Sequence, residues 1–117
     1  MTTSEIATVL AWHDALNDQN LGILEQLSSD DIEIGDANGA AQGHEALRQW
    51  AKQFDAPVTV GQMYVRDGVV VVEQTSGDAT GAAAFRVVHD HVTSAFRHGD
   101  LESALTATGL TQADLDA

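Results

Sequence analysis

The stretch "IGDANGAAQGHE" at residues 34–45 contains Asp36, the carboxylate of this chain that is best placed for acid–base chemistry. Side chains alternate along a strand, so Asp36 shares a face with Ile34 if the preceding strand continues through it. A carboxylate at the rim of an apolar site is suited to act as a general base. The same letters also favour a turn, because Asp first and Gly fourth in "DANG" are typical of a type I turn. The sequence leaves both interpretations of Asp36 open.

His13 is the second candidate for a catalytic proton-transfer group. It falls on the apolar stripe of the first predicted helix, and histidine titrates close to neutral pH. The alternative is a core histidine that is held by hydrogen bonds. The candidates for ligand contact around these two residues are Trp12, Ile34, Trp50 and Tyr64.

Two arginines are candidates for binding an anionic group. Alternation along the last two predicted strands places Arg86 and Arg97 on one face, and Phe85 and Phe96 on the other. If the arginine face lines a pocket, the guanidinium groups suit a carboxylate or an enolate ligand. The alternative is that both arginines pair with acidic side chains across the strands at the surface.

The run His89, Asp90 and His91 contains metal-ligating residue types. Adjacent residues point to opposite sides of a strand or surround a turn, so they do not converge on one ion. We interpret the run as an exposed turn. The sequence therefore predicts no metal site, and proton transfer by a carboxylate or an imidazole needs no cofactor.

Composition excludes several classes of partner. The 117 residues include 18 acidic and five basic residues, a formal net charge of −13, which disfavours binding to nucleic acids and to anionic membranes. There is no cysteine for disulfides or thiolate chemistry. The apolar run "VVVV" is too short to span a bilayer, and the first residues lack the pattern of a signal peptide. We expect a single cytoplasmic domain over residues 1–117.

The elements that position these residues follow from periodicity and turn signals. Helices are predicted over about residues 3–18, from Asn20 to Leu27 and from Gly43 to Phe54, with "DIEI" as a short strand before the third helix. Four strand-forming runs follow between residues 58 and 99, and "LESALTAT" is a last helix. Strands joined by tight turns, such as the one at Asp67-Gly68, pair antiparallel. The sequence therefore predicts an α+β fold with helices on one face of a curved sheet.

Three stretches resemble the SnoaL-like branch of the nuclear transport factor 2-like superfamily: "VLAWHDALNDQNLGILEQLSSDDIEI", "GHEALRQW" and "DLESALTATGL". The resemblance implies a cone-shaped fold that encloses a pocket, commonly in a homodimer. In the ketosteroid isomerases of this superfamily, the positions of the base, the tyrosine and the second acid correspond to Ile34, Trp12 and Ala84 of this chain. Since none of the three has the required side chain, steroid isomerisation by that mechanism is not expected.

Two hypotheses follow from the sequence. In the first, the protein binds a small, apolar, oxygen-bearing molecule without catalysis. In the second, it is a cofactor-independent isomerase, cyclase or hydrolase with Asp36 or His13 as general base. We expect a small-molecule ligand and a homodimer under either hypothesis.

Overall fold

The computed structural model describes residues 4–36, 38–53 and 57–116. The helices are α1 Ser4–Asn17, α2 Leu21–Gln26, α3 His44–Ala51 and α4 Leu101–Thr108, followed by a 3-10 turn at Gln112–Asp114. Phe54, the predicted end of the third helix, lies outside the described residues. Side-chain oxygens of Asn20 and Asp100 accept backbone hydrogen bonds at the starts of α2 and α4. None of the described helices is long and apolar enough to cross a membrane.

The described strands form one sheet in the order β2-β1-β6-β5-β4-β3. Their bounds are β1 Ser28–Asp36, β2 Gly39–Gln42, β3 Thr59–Arg66, β4 Val69–Ser76, β5 Ala79–Val88 and β6 His91–His98. β3 to β6 pair antiparallel through short turns, as predicted. Both residues of the Asp67–Gly68 and His89–Asp90 turns have positive φ, the geometry that matches the twist of a hairpin. The predicted α+β fold is confirmed.

The N-terminal side of the sheet is more extensive than the predicted "DIEI" strand. β1 continues through Asp36 and pairs antiparallel with β2, and it also pairs in parallel with β6. A Cβ atom on Gly35 would lie 2.5 Å from the carbonyl oxygen of Gly39, so glycine permits the close approach of these two strands. The sequence did not predict β2, because "GAAQ" consists of residues with little preference for strands.

One face of the sheet, which we call the inner face, packs against α1, α2 and α3. The residues Val70 and Val72 of β4 belong to this face and join the larger of the two clusters of buried apolar side chains. Trp12 of α1 is fully buried in the same cluster. Burial of a large apolar side chain contributes about 1.5–3 kcal/mol, so this cluster dominates the stability of the fold.

The opposite face, which we call the outer face, packs against α4 and the segment that follows it. Val71 lies between Val70 and Val72 in the chain and points the other way, into a smaller cluster with Tyr64, Ala104 and Leu110. The expectation of helices on one face therefore holds for α1 to α3, whereas α4 covers part of the outer face. The physical reason is that consecutive apolar side chains of β4 point alternately to the two faces of the sheet, so both faces must be covered by other elements.

Candidate functional site

A groove lies on the outer face of the sheet beside α4, and we call it the α4 groove. Its volume is about 710 Å³, which is within the range of small-molecule sites. Its apolar lining comprises Val69, Ala84, Phe85, Phe96 and Ala107. Its polar and charged lining comprises Asp36, Arg86, Ser94, Arg97, His98, Ser103 and Thr108. The groove therefore offers a ligand both apolar surface and several kinds of polar side chain.

Strand pairing brings the central residues of the groove together. Arg86 of β5 lies opposite Ser94 of β6, and Ala84 lies opposite Phe96. On the other side of β5, Val69 lies opposite Arg86. Because directly paired residues share a face, these side chains lie together on the outer face.

A bulge between β5 and β6 changes the predicted grouping of the arginines. Val87 pairs with Val92 next to the turn, but Arg86 pairs with Ser94, so β6 contains one extra residue. An extra residue moves every later side chain of that strand to the opposite face. The prediction that Arg86 and Arg97 share a face is therefore wrong.

The same bulge separates the two aromatic residues of these strands. Phe85 packs in the inner cluster, with its ring centroid 5.2 Å from that of Trp12, whereas Phe96 belongs to the outer face. Arg97 pairs with Ala83, a residue of the inner cluster, and borders the groove at the end of β6. Of the two arginines, Arg86 thus lies on the face that carries the groove.

Asp36 combines features of both interpretations from the sequence. β1 extends through it, and its Oδ1 accepts a hydrogen bond from the backbone N–H of Asn38 at 2.8 Å, as in an Asx turn. The residue is exposed and borders the α4 groove. One carboxylate oxygen is thus engaged in the turn while the residue stays at the rim of the groove.

His13 is only 2% exposed and lies in the inner core. Its Nδ1–H donates to the Val9 carbonyl oxygen at 2.8 Å, and its Nε2 accepts from Nε2 of Gln74, also at 2.8 Å. Burial lowers the pKa of His13 from its ordinary value, and this effect outweighs the opposing influences of the Val9 hydrogen bond and of the Asp14 charge. His13 is therefore a neutral imidazole with both ring nitrogens occupied.

The other predicted ligand contacts lie away from the α4 groove. Trp12 donates from Nε1 to Ser28 Oγ at 3.0 Å in the core, and its ring centroid lies 5.5 Å from that of Trp50. Ile34 is buried in the inner cluster and Tyr64 in the outer one. None of these four predicted residues lines the groove.

In the exposed run of His89, Asp90 and His91, the first two residues form the turn between β5 and β6, and His91 begins β6. A second cavity of about 340 Å³ lies next to it. Among the described residues, no group of three or more His, Cys, Asp or Glu side chains could hold a metal ion. The His91 ring instead hydrogen-bonds the His89 carbonyl oxygen through Nδ1, at 2.8 Å.

Several groove residues were not identified from the sequence. Ser94, Phe96, His98 and the α4 residues Ser103 and Thr108 line the site together with Arg86. Their proximity depends on the position of α4 and on the bulge in β6. One signal in the sequence could have indicated a site on this face. The apolar side chains of β4 point alternately to both faces of the sheet, which indicates that both faces are covered.

A family model described as a SnoaL-like domain matches residues 9–105 of the chain. No curated protein matches the sequence.

Solved structures with the same fold include a nuclear transport factor 2-like protein of unknown function from Cytophaga hutchinsonii, with 16% identity, a TM-score of 0.70 and coverage of 88% of this chain and 95% of that one. An LEH-like epoxide hydrolase from M. tuberculosis has 15% identity, a TM-score of 0.72 and coverage of 90% and 84%. A protein with a ketosteroid isomerase-like fold from Catenulispora acidiphila, in complex with trimethylamine, has 23% identity, a TM-score of 0.66 and coverage of 89% and 93%. At these identities the similarity extends to the fold alone.

Proposed function

The chain belongs to the family of SnoaL-like domains, and we propose that this member binds a small, apolar, oxygen-bearing molecule in the α4 groove. The observation that carries this proposal is the groove itself, a cavity of about 710 Å³ with apolar side chains beside hydroxyl and charged groups. Ligand sites in proteins generally have this composition. The groove, rather than the interior between α1 and the sheet, is the proposed site.

The packing of the inner core supports this location. Trp12, His13 and Phe85 contact one another there, with ring centroids 5.2–5.7 Å apart. The polar atoms of Trp12 and His13 already have partners within the protein. A ligand in that space would have to displace well-packed side chains, which costs free energy, whereas the α4 groove is already open.

The proposal is tested by isothermal titration calorimetry with octanoate and octanamide, two probes with the same apolar chain and different polar ends. We expect at least one of them to bind the wild-type protein. Ala107→Trp places an indole in the groove from an exposed position of α4 and is expected to abolish binding. The matched control is Ala7→Trp, at an exposed position of α1. Absence of binding by both probes, or equal binding by the two variants, would refute the proposed site.

Catalysis with Asp36 as general base is a second candidate function. Its specific support is that Asp36 is a carboxylate that borders the groove and has one oxygen outside the Asn38 hydrogen bond. His13 is the weaker candidate for the base because neither ring nitrogen is available.

A model epoxide such as styrene oxide tests this second candidate, since water activated by a carboxylate base would open it to the diol. We expect Asp36→Asn to abolish diol formation and Asp31→Asn, at an exposed position of the same strand, to retain it. Equal rates for the two variants would exclude Asp36 as the base. The homodimer and the cytoplasmic location stay predictions from the sequence.

A further inference from the structure

We propose that the α4 groove selects carboxylates over uncharged molecules with the same apolar body, and that the Arg86 guanidinium is the group that binds the carboxylate. This inference rests on the proposed function and adds the chemical class of the ligand. It depends on three features of the groove: an arginine whose side chain has no partner among the described residues, a hydroxyl group directly beside it, and apolar surface that adjoins the two.

Arg86 differs from two other arginines of the chain in its surroundings. Arg48 lies 3.4 Å from Glu25, and Arg66 lies 3.7 Å from Asp114. Within the described residues, the Arg86 side chain has neither an ion pair nor a hydrogen bond. In a protein with 18 acidic residues, an arginine on the lining of an apolar groove is thus left available for an external anion.

Ser94 extends the anion-binding surface beside Arg86. The two residues are directly paired across β5 and β6 and both line the groove, so their Cβ atoms lie about 5 Å apart. A guanidinium fork and a hydroxyl group at this separation can donate to the two oxygens of one carboxylate. Phosphate would also accept from the fork, but the apolar surface that adjoins this pair favours an anion with an apolar body.

The apolar surface runs from the Arg86–Ser94 pair along β6. Phe96 follows Ser94 on the same face, with Ala84 opposite it, and the groove ends near His98. His98 lies four positions after Ser94, which is about 13 Å at the rise of a strand. The groove therefore accommodates a chain or ring system of medium length with its carboxylate at the Arg86 end.

Charged residues border the groove at both ends. Asp36 follows Gly35, which pairs with Phe96, so Asp36 borders the groove near the His98 end, where Arg97 also lines it. The opposite charges of Asp36 and Arg97 offset one another there. At the other end, Glu33 pairs with Ser94 on the outer face and lies two strand spacings, about 10 Å, from Arg86. Of the two arginines that line the groove, Arg86 is the one without a partner among the described residues, so we place the carboxylate at its end.

Calorimetric titration with octanoate and octanamide tests the inference on the full chain. We expect octanoate to bind more tightly, because octanamide lacks the charge that Arg86 binds. Arg86→Gln is expected to weaken octanoate binding about tenfold or more, as is typical for loss of a charged hydrogen bond, and to leave octanamide binding unchanged. Arg48→Gln removes the same charge outside the groove and is the matched control.

The possible results distinguish a failure of the carboxylate preference from a failure of the proposed function. Equal affinities for octanoate and octanamide, or an undiminished octanoate affinity of Arg86→Gln, would overturn the carboxylate preference while the proposed function stands. No binding by any probe would refute the proposed function and this inference with it. If Arg86→Gln instead converts a dimer to a monomer in sedimentation analysis and the wild type binds no probe, a second copy of the chain occupies the groove and the inference is also overturned.

Discussion

The polar side chains of the inner core and those of the α4 groove differ in whether the protein itself supplies their hydrogen-bond partners. On the inner face, the buried imidazole of His13 is hydrogen-bonded at both nitrogens, and the Trp12 indole N–H is bonded to Ser28. On the outer face, Arg86 lines an open groove without a protein partner among the described residues. Polar groups of the first kind stabilise the fold, whereas a group of the second kind is available to a ligand.

This difference shows why residue type is a poor guide to function in this chain. His13 and Trp12 are the residue types expected in a site, yet both are buried in the inner core. A buried polar group that is satisfied within the protein has no capacity left for a ligand. Burial and hydrogen-bond partners, rather than chemical type, therefore separate the core from the candidate site.

The largest expected effect is on the inner face. Trp12→Ala removes a fully buried side chain that contacts Trp50 and Phe85, and we expect a loss of about 3–5 kcal/mol in the free energy of unfolding. Urea denaturation measures this loss. A loss below about 1 kcal/mol would mean that the Trp12 site is not a packed core and would remove the contrast between the faces.

A smaller effect is expected for the buried polar pair. Gln74→Leu leaves the His13 Nε2 without its donor, which costs about 1–3 kcal/mol. The double variant with His13→Leu removes both partners, so its cost should be less than the sum of the two single losses. Additive losses in urea denaturation would indicate that the two side chains do not interact.

The pH dependence of stability probes the same histidine. Because burial lowers the pKa of His13 in the folded state, the unfolded state binds the proton more readily. The contribution of the neutral imidazole is thus complete above the unfolded pKa of about 6.5 and is lost as the pH falls towards the lower folded pKa. Between pH 7.5 and 5.5 the wild type should lose more stability than His13→Gln in urea denaturation; equal losses would contradict a depressed pKa.

The smallest effect on stability is expected in the groove. Arg86→Gln changes an exposed side chain without a described partner, so the free energy of unfolding should change by no more than about 0.5 kcal/mol. Thermal or urea denaturation of the variant beside Arg48→Gln measures it. A loss of about 2 kcal/mol or more would show that Arg86 belongs to the structural framework, as His13 does.

Local signals in the sequence were sufficient for much of the fold. The Asp67–Gly68 turn and the strand-forming runs around it predict the β3 to β6 meander, and Asp100 marks the start of α4. Such features depend on residues that are close in the chain. The face that α4 covers depends instead on how the alternating side chains of β4 are shared between two layers.

The candidate site was less predictable because it depends on register and on distant contacts. One extra residue in β6 separates Arg86 from Arg97 and brings Phe96 to the groove. His13 and Gln74 lie 61 positions apart in the chain, and no local pattern in the sequence indicates that they pair. The sequence could identify Asp36 and Arg86 as candidates, but not the groove that both of them line.

The central claim is that the ligand site lies in the α4 groove and not in the inner core. Titration of the ¹⁵N-labelled protein with octanoate, followed by amide and indole N–H chemical shifts, tests it directly. We predict that the shifts of Arg86, Ser94, Phe96 and Ala107 change while the Trp12 indole signal stays in place. Movement of the Trp12 indole and of the His13 amide, with no change at Ser94 and Ala107, would contradict the claim.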